Sequence, residues 1–351
     1  ITYFYTIGLV VSLYNDVGFY ATIEFPHRIA NLFIIFFLPS IIRCKRDLKT
    51  IFALFILMIG ILLLVEIFKS LGQDSIRLVG KGFASISVIV AFPVSIGGFL
   101  VFWDKKRNRF LTRSLLIGLF TIALLKLLFS FSRTVWLAII PIDILCLFIL
   151  SKLSNKKYYI NKNRLKSLVS LFNKFFFVGF ALTIIFVLNN PLIKELIIYR
   201  IDDISRYQSV KNSEYNSAFE KWKTSPMIGK GFGYELNFIK GEKRTEQESI
   251  HNWILQFMMS SGIIGLSLLL ILLSNILIKA IKLLKLSSFN LHTAILISSI
   301  LIILNILIQG LAQTTLQIQG TYFLIAMVIS FLIVINKFEK LNDCQSSANI
   351  K

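Results

Sequence analysis

Apolar runs long enough to cross a bilayer recur down this chain, and the basic residues gather in alternate loops between them. A span needs roughly 20 apolar residues, fewer where flanking side chains reach the interface. Ten stretches qualify, at residues 1–14, 29–42, 51–68, 82–103, 115–131, 134–150, 175–190, 251–278, 291–308 and 318–335. A hydrophobic fraction of 56% over 351 residues, with 32 Phe, leaves too little polar surface to coat a water-soluble domain. The expected fold class is therefore all-α, a polytopic integral membrane helical bundle of about ten spans. No cleavable signal peptide is visible, and the first run begins without Met, which leaves room for a helix or two upstream.

Charge sets the expected orientation. Residues 43–50, 104–114, 151–174, 279–290 and 336–351 carry net charges of +3, +4, +7, +3 and +1, together +18 of the chain's +20. The positive-inside rule assigns these loops to the cytoplasm. Basic charge split among short loops orients a membrane protein and meets anionic headgroups, so nucleic acid is not an expected partner. Cys44, Cys146 and Cys344 all fall at cytoplasmic or membrane positions, and neither a disulfide nor a metal site is expected of them.

One long polar stretch breaks the pattern. Residues 191–250 hold ten Lys/Arg and nine Asp/Glu, and the alternation puts them outside, facing the periplasm or cell exterior. The chain then divides into residues 1–190 with seven spans, this outer loop, and residues 251–351 with three spans and a cytoplasmic tail. Within the loop, Tyr207, Val210, Tyr215, Ala218, Phe219 and Trp222 recur at helical spacing, predicting a helix over residues 205–222. Ser225-Pro226 stops it, residues 227–234 read as a Gly-rich turn, and residues 237–248 as a polar, mobile crossing. The Gly229-Lys230-Gly231-Phe232-Gly233 run lacks the preceding strand, the downstream acid and the Gly-Lys-Ser/Thr ending of nucleotide-binding loops. It is read as a tight turn packed closely on the bundle.

Three places could carry chemistry. His251, one of three histidines, stands at the mouth of the eighth span, where backbone N–H groups and a partial positive charge suit a phosphate and the ring can accept a proton. Arg133, in Ser132-Arg133-Thr134, joins two spans on the outer side, where orientation does not need it; its guanidinium fork matches phosphate oxygens. Arg200, Arg206 and Lys211 form a basic set at the start of the loop. The remaining candidates are bland: His27 and His292 in short loops, Asp202-Asp203 as a solvated face, and Glu66, Lys126 and Asp143 inside spans, the last two as a pair or a proton relay.

The order of these pieces resembles a known family. Ser132-Arg133 at the start of a span precedes a long outer loop. That loop carries Arg206, then the run from Ala218-Phe219 through Ser225-Pro226-Met227-Ile228-Gly229-Lys230-Gly231-Phe232-Gly233. His251-Asn252-Trp253 and Ser261-Gly262-Ile263-Ile264-Gly265 follow. This is similar to the O-antigen ligase and O-antigen polymerase superfamily, most sharply over residues 130–270.

The resemblance implies a metal-independent, inverting glycosyl transfer without cofactor. The donor would be an undecaprenyl-pyrophosphate-linked glycan, the acceptor a glycan or a lipid A-core sugar. It assigns His251 to the reaction centre and Arg133 to the donor pyrophosphate. Either Arg206 or Lys211 would be the second phosphate contact, Arg206 being favoured for its two-pronged geometry. Asn252, Ser132, Gly229 and Gly231 would support the site. Readings from other classes are a lipid-linked oligosaccharide flippase or transporter, which would need charges from several helices around a cavity, and a non-catalytic assembly subunit in which His251 is dispensable.

Overall fold

The computed structural model describes residues 33–71, 86–102, 117–119, 121–122, 185, 189, 204–231, 236–240, 243–247, 250–287, 290–311 and 319–348. In chain order these form α1 (Ile34–Ile41), α2 (Lys45–Leu71), α3 (Ile86–Phe102), α4 (Ile204–Lys223), β1 (Leu236–Lys240), β2 (Lys243–Gln247), α5 (Trp253–Leu286), α6 (Asn290–Gly310) and α7 (Gln319–Ala348). Among the described residues four helices are long and apolar enough to cross a membrane: Lys45–Val65, Trp253–Leu286, Leu291–Gly310 and Thr321–Lys340. They answer to the predicted spans at 51–68, 251–278, 291–308 and 318–335.

The expected count of about ten is thus not reached among the described residues. The stretch at 82–103 yields α3, of 17 residues with Pro93 inside, and the stretch at 29–42 yields α1, of only 8 with Pro39 inside. The predicted spans at 1–14, 115–131, 134–150 and 175–190 lie wholly or almost wholly outside the described residues, as do Ser132, Arg133, Lys126 and Asp143.

Two units make up the described chain. One holds α1 to α3, the end of α5, α6 as far as Gln309 and α7 from Phe323. Lipid tails are as apolar as Leu, so helices here associate through close packing and hydrogen bonds rather than through a hydrophobic drive. Gly97 of α3 shows the closeness: a Cβ there would strike the Ser298 side chain of α6 and come within 2.9 Å of Phe52 of α2. Ser298 Oγ donates to the Pro93 carbonyl at 2.8 Å, Ser330 Oγ of α7 donates to the Ile34 carbonyl of α1, and Phe331 meets Phe52 and Phe55 edge-on. In α6 and α7, 78% and 72% of the apolar window is buried, against 28% in α2, so α6 and α7 make the interior and α2 presents most of its surface outward.

At the start of α2, Asp47 reaches back to accept from the backbone N–H groups of Arg43 and Cys44, at 3.0 and 3.1 Å. That reciprocal cap satisfies donors which no earlier turn could bond. His292, read from sequence as a loop residue, lies in the first turn of α6, fully buried. Its Nδ1 is 2.7 Å from Glu339 Oε1 of α7, and its ring stacks on Phe338.

The other unit contains α4, the two strands and α5 up to Asn275. Residues 237–248, expected to be a mobile polar crossing, instead fall mostly in an antiparallel hairpin pairing Leu236 with Gln247 through to Lys240 with Lys243. This hairpin is a small addition to a fold that is otherwise all-α among the described residues, as expected. Phe238, Ile239 and Thr245 are residue types enriched in strands. A lone hairpin is marginal in water, and this one packs through β1 against α4.

Candidate active site

Helix α4 begins and ends within a residue of the span that its periodicity predicts. Its buried face differs in one respect from the apolar stripe. Ala218 is buried as expected, but the residue one turn before it, Glu214, is a carboxylate with only 2% of its side chain exposed. Burying a charge is costly unless it is paired and hydrogen-bonded. Glu214 is both. Its Oε1 accepts from the backbone N–H of His251 at 2.6 Å and lies 3.0 Å from His251 Nδ1, while Lys211 Nζ is 3.5 Å from its Oε2. Tyr215 OH adds a further tie by donating to the His251 carbonyl at 3.3 Å.

The Glu214 and Tyr215 contacts to His251 join residues 37 and 36 positions apart and hold the entry of α5 against α4. Beneath them Ala218, Ile250 and Met259 form a small buried core, with Tyr215 and Leu255 packed on it. Several donors around the start of α5 find acceptors. Asn252 Oδ1 accepts from the N–H groups of Ile254 (2.9 Å) and Leu255 (3.3 Å), and the buried Gln256 side chain reaches back to the N–H of Ile250 at 2.7 Å. Asn252 is the helix cap. Replacing it with alanine is expected to cost about 1 kcal/mol, and Asn252→Ser to cost little. A lower midpoint for the alanine variant alone, in thermal unfolding of the detergent-solubilised chain, is the outcome that bears this out; equal midpoints would remove the cap.

Burial pushes the Glu214 pKa upward, but hydrogen bonds from the His251 ring and backbone, with the charges of Lys211 and His251, outweigh it. The carboxyl is held below the usual carboxylate range and stays ionised. For Lys211 burial is the larger influence and lowers its pKa, against the opposing pull of Glu214. An ionised carboxylate can only accept, so whenever the His251 ring is neutral its Nδ1 carries the proton and Nε2 keeps its lone pair. The His251 side chain is 41% exposed, so this ring is open to a reactant on one side and gripped on the other.

Below the cap the Gly-rich turn is sewn into α5. Gly262 interrupts the helix with φ 65° and ψ −169°, where a continuous span was expected. The interruption frees backbone groups that residues 226–231 then satisfy. Lys230 and Gly231 N–H donate to the Met259 and Ser260 carbonyls at 2.7 and 2.9 Å, and Ile263 and Ile264 N–H donate to the Pro226 and Met227 carbonyls at 2.9 and 3.3 Å. Gly229 and Gly231 both have positive φ, and a Cβ on Gly229 would stand 2.5 Å from the Ser260–Ser261 peptide. The expected tight turn on the bundle is therefore observed, with these glycines at its closest approach.

Of the residues singled out from sequence, the structure brings His251, Lys211 and Asn252 together around the α4–α5 junction, with Gly229 and Gly231 below. Arg206 occupies the first turn of α4, on the same helix as Lys211 and Glu214. Arg133 and Ser132 lie outside the described residues. Sequence reasoning missed Glu214. The signal was present in outline, since Glu214 sits four residues from both Val210 and Ala218 and so interrupts the buried stripe with a charge.

A buried carboxylate holding a histidine at the head of an apolar, membrane-length helix defines a class: an integral membrane protein with a polar site built onto the end of a span. The family model described as O-antigen ligase matches residues 118–270, which include α4, the hairpin, the Gly-rich turn, His251 and the break at Gly262. The match supports assignment of this segment to the O-antigen ligase and polymerase superfamily, and with it an enzymatic role in envelope glycan biosynthesis. No curated protein matches the chain.

Proposed function

We propose that this chain is an inverting glycosyltransferase that moves an undecaprenyl-pyrophosphate-linked glycan onto an acceptor sugar hydroxyl at the outer face of the bacterial inner membrane. The observation that carries the reading is the Glu214–His251 pair at the head of α5, inside the segment matched by the O-antigen ligase family.

With Nδ1–H committed to the Glu214 carboxylate, Nε2 takes the proton of the acceptor hydroxyl as its oxygen attacks the anomeric carbon of the donor. The bond from that carbon to the diphosphate oxygen breaks, and the electron pair leaves with the diphosphate. Glu214 faces the positive charge that develops on the ring, in the manner of a carboxylate behind a catalytic histidine. Arg133 and Arg206 neutralise the charge gathering on the leaving group. Lys211 already shares Glu214, which favours Arg206 as the second phosphate ligand.

Position along α5 fits this chemistry. No charged residue occurs from Trp253 to Ile278, and the exposed Lys279 follows. With Lys279 at the cytoplasmic edge, about 20 residues of hydrocarbon thickness reach back to the neighbourhood of Met259. His251 then stands about 10 Å beyond that boundary, close to where a lipid's diphosphate resides.

The test is the envelope glycan of a deletion strain complemented with Arg133→Ala. Loss of one donor to the developing charge is expected to slow transfer about 10²–10³-fold. Single repeats still attached to the core would identify a polymerase, and lipid-linked polymer with bare core a ligase. Wild-type glycan would overturn the role of Arg133.

A further inference from the structure

Met227 and Ile228, at the tip of the Gly-rich turn, are 56% and 47% exposed, in a polar loop where apolar side chains would be expected to hide. They are not isolated. Phe219, itself exposed, lies against Trp222 with ring centroids 5.3 Å apart, and Trp222 Nε1 donates to the Pro226 carbonyl at 3.1 Å. That carbonyl also accepts from Ile263, and the Met227 carbonyl accepts from Ile264; both isoleucines are exposed side chains of α5. One apolar surface therefore runs from the end of α4, across the turn, onto a helix of membrane-spanning length. On a soluble domain such a patch would mark an interaction site. Here it is continuous with a surface that already faces lipid.

Two observations choose the occupant. The patch adjoins α5 at residues 263–264, a few positions past Met259, where a hydrocarbon layer counted back from Lys279 reaches its outer boundary. Lys221, Lys223 and Lys230 accompany the patch against a single acid, Glu220, so its surroundings are basic. Trp, long apolar side chains and lysines that extend their charge toward headgroups are the residues that settle at a membrane interface.

We propose that residues 219–230 form an interfacial anchor, with Phe219, Met227 and Ile228 entering the acyl region of an anionic bilayer beside Ile263 and Ile264. The four backbone hydrogen bonds to α5 set the anchor's depth, and α4, rising from it, holds Glu214, and through it His251 at the entry of α5, at a constant height above the lipid. The inference rests on the reading of α5 as a span and not on the glycosyl-transfer chemistry.

The experiment uses the full chain in vesicles of phosphatidylethanolamine and phosphatidylglycerol, with Cys44, Cys146 and Cys344 replaced by serine. Single cysteines at Met227→Cys, Ile228→Cys and the exposed polar control Glu220→Cys carry a small fluorophore. Phospholipid bearing a nitroxide high on its acyl chain is expected to quench the first two several-fold more than the third. A membrane-impermeant maleimide is expected to label them several-fold more slowly. Equal quenching at all three positions, with equal labelling, would overturn the anchor. So would quenching by a nitroxide on an added polyprenyl diphosphate but not by bulk phospholipid, which would make the patch a seat for a donor tail. Protection from maleimide without quenching by either lipid would also overturn it, by pointing to a protein contact. None of these readouts depends on transferase activity, so loss of glycan in a His251 variant leaves the test intact.

Discussion

Replacing His251 with alanine is expected to reduce glycan transfer by about 10²–10⁴-fold, the contribution of a positioned general base. The chain should remain folded in the membrane. The side chain is 41% exposed, and the backbone N–H of residue 251 keeps its bond to Glu214 in the variant. Losing the ring removes one partner of the buried carboxylate, which is expected to cost about 1–3 kcal/mol while the backbone N–H and Lys211 still pair it. Glu214→Gln separates positioning from proton transfer. Glutamine still accepts from the backbone of residue 251, but it removes the charge facing the ring. A hydrogen bond to a charged group contributes about 1.5–3 kcal/mol, so a further variant-specific loss of about 10–100-fold is expected. Single-turnover transfer of a lipid-linked glycan in detergent, with unfolding midpoints for both variants, checks the pair. Wild-type transfer by His251→Ala would end the base assignment. A large loss in Glu214→Gln accompanied by an unfolding chain would reduce Glu214 to a structural role.

The second large effect is on folding. Gly262→Ala is expected to yield a chain that aggregates or unfolds at a much lower temperature. The backbone at Gly262 has φ 65° and ψ −169°, a combination essentially reserved for glycine. An added Cβ would run into the Met227 carbonyl and stand 2.5 Å from Ile228 N. Backbone cannot rotate away as a side chain can, so the turn must lift off α5 and the four hydrogen bonds between them are lost. At membrane depth those freed groups find little water, and each is costly to leave unmade. A destabilisation above about 4 kcal/mol follows, within the range that a single substitution reaches only by breaking a special backbone or a buried network. Gly118→Ala is the matched control. Gly118 is helical, a Cβ there meets nothing within 4 Å, and alanine in a helix is favoured by about 0.5–1 kcal/mol. Equal stability of the two variants in thermal unfolding would show that the break at Gly262 does not hold the turn.

These two residues also show how far the amino-acid order alone could be read. The extent of α4 and the four long apolar helices followed from patterns that repeat within four residues or a single run. Such patterns act locally, through helix periodicity, capping and the requirement for bonded backbone in lipid, and they survive whatever surrounds them. The Gly-rich turn and its close packing on the helix behind were legible for the same reason, because alternating glycines mark a place where backbones approach.

What the local pattern could not contain was decided by tertiary structure. Glu214 did not stand out in the sequence; the fold set it 2.6 Å from the backbone of His251, 37 positions away. The run at residues 251–278 looked continuous until the turn at 226–231 supplied donors and acceptors that make an interruption at Gly262 affordable. Residues 237–248 looked mobile until pairing and the flank of α4 ordered them into a hairpin. In each case the deciding energy comes from a hydrogen bond or a packed surface between segments distant in sequence, and no window of neighbouring residues records which distant segment will arrive.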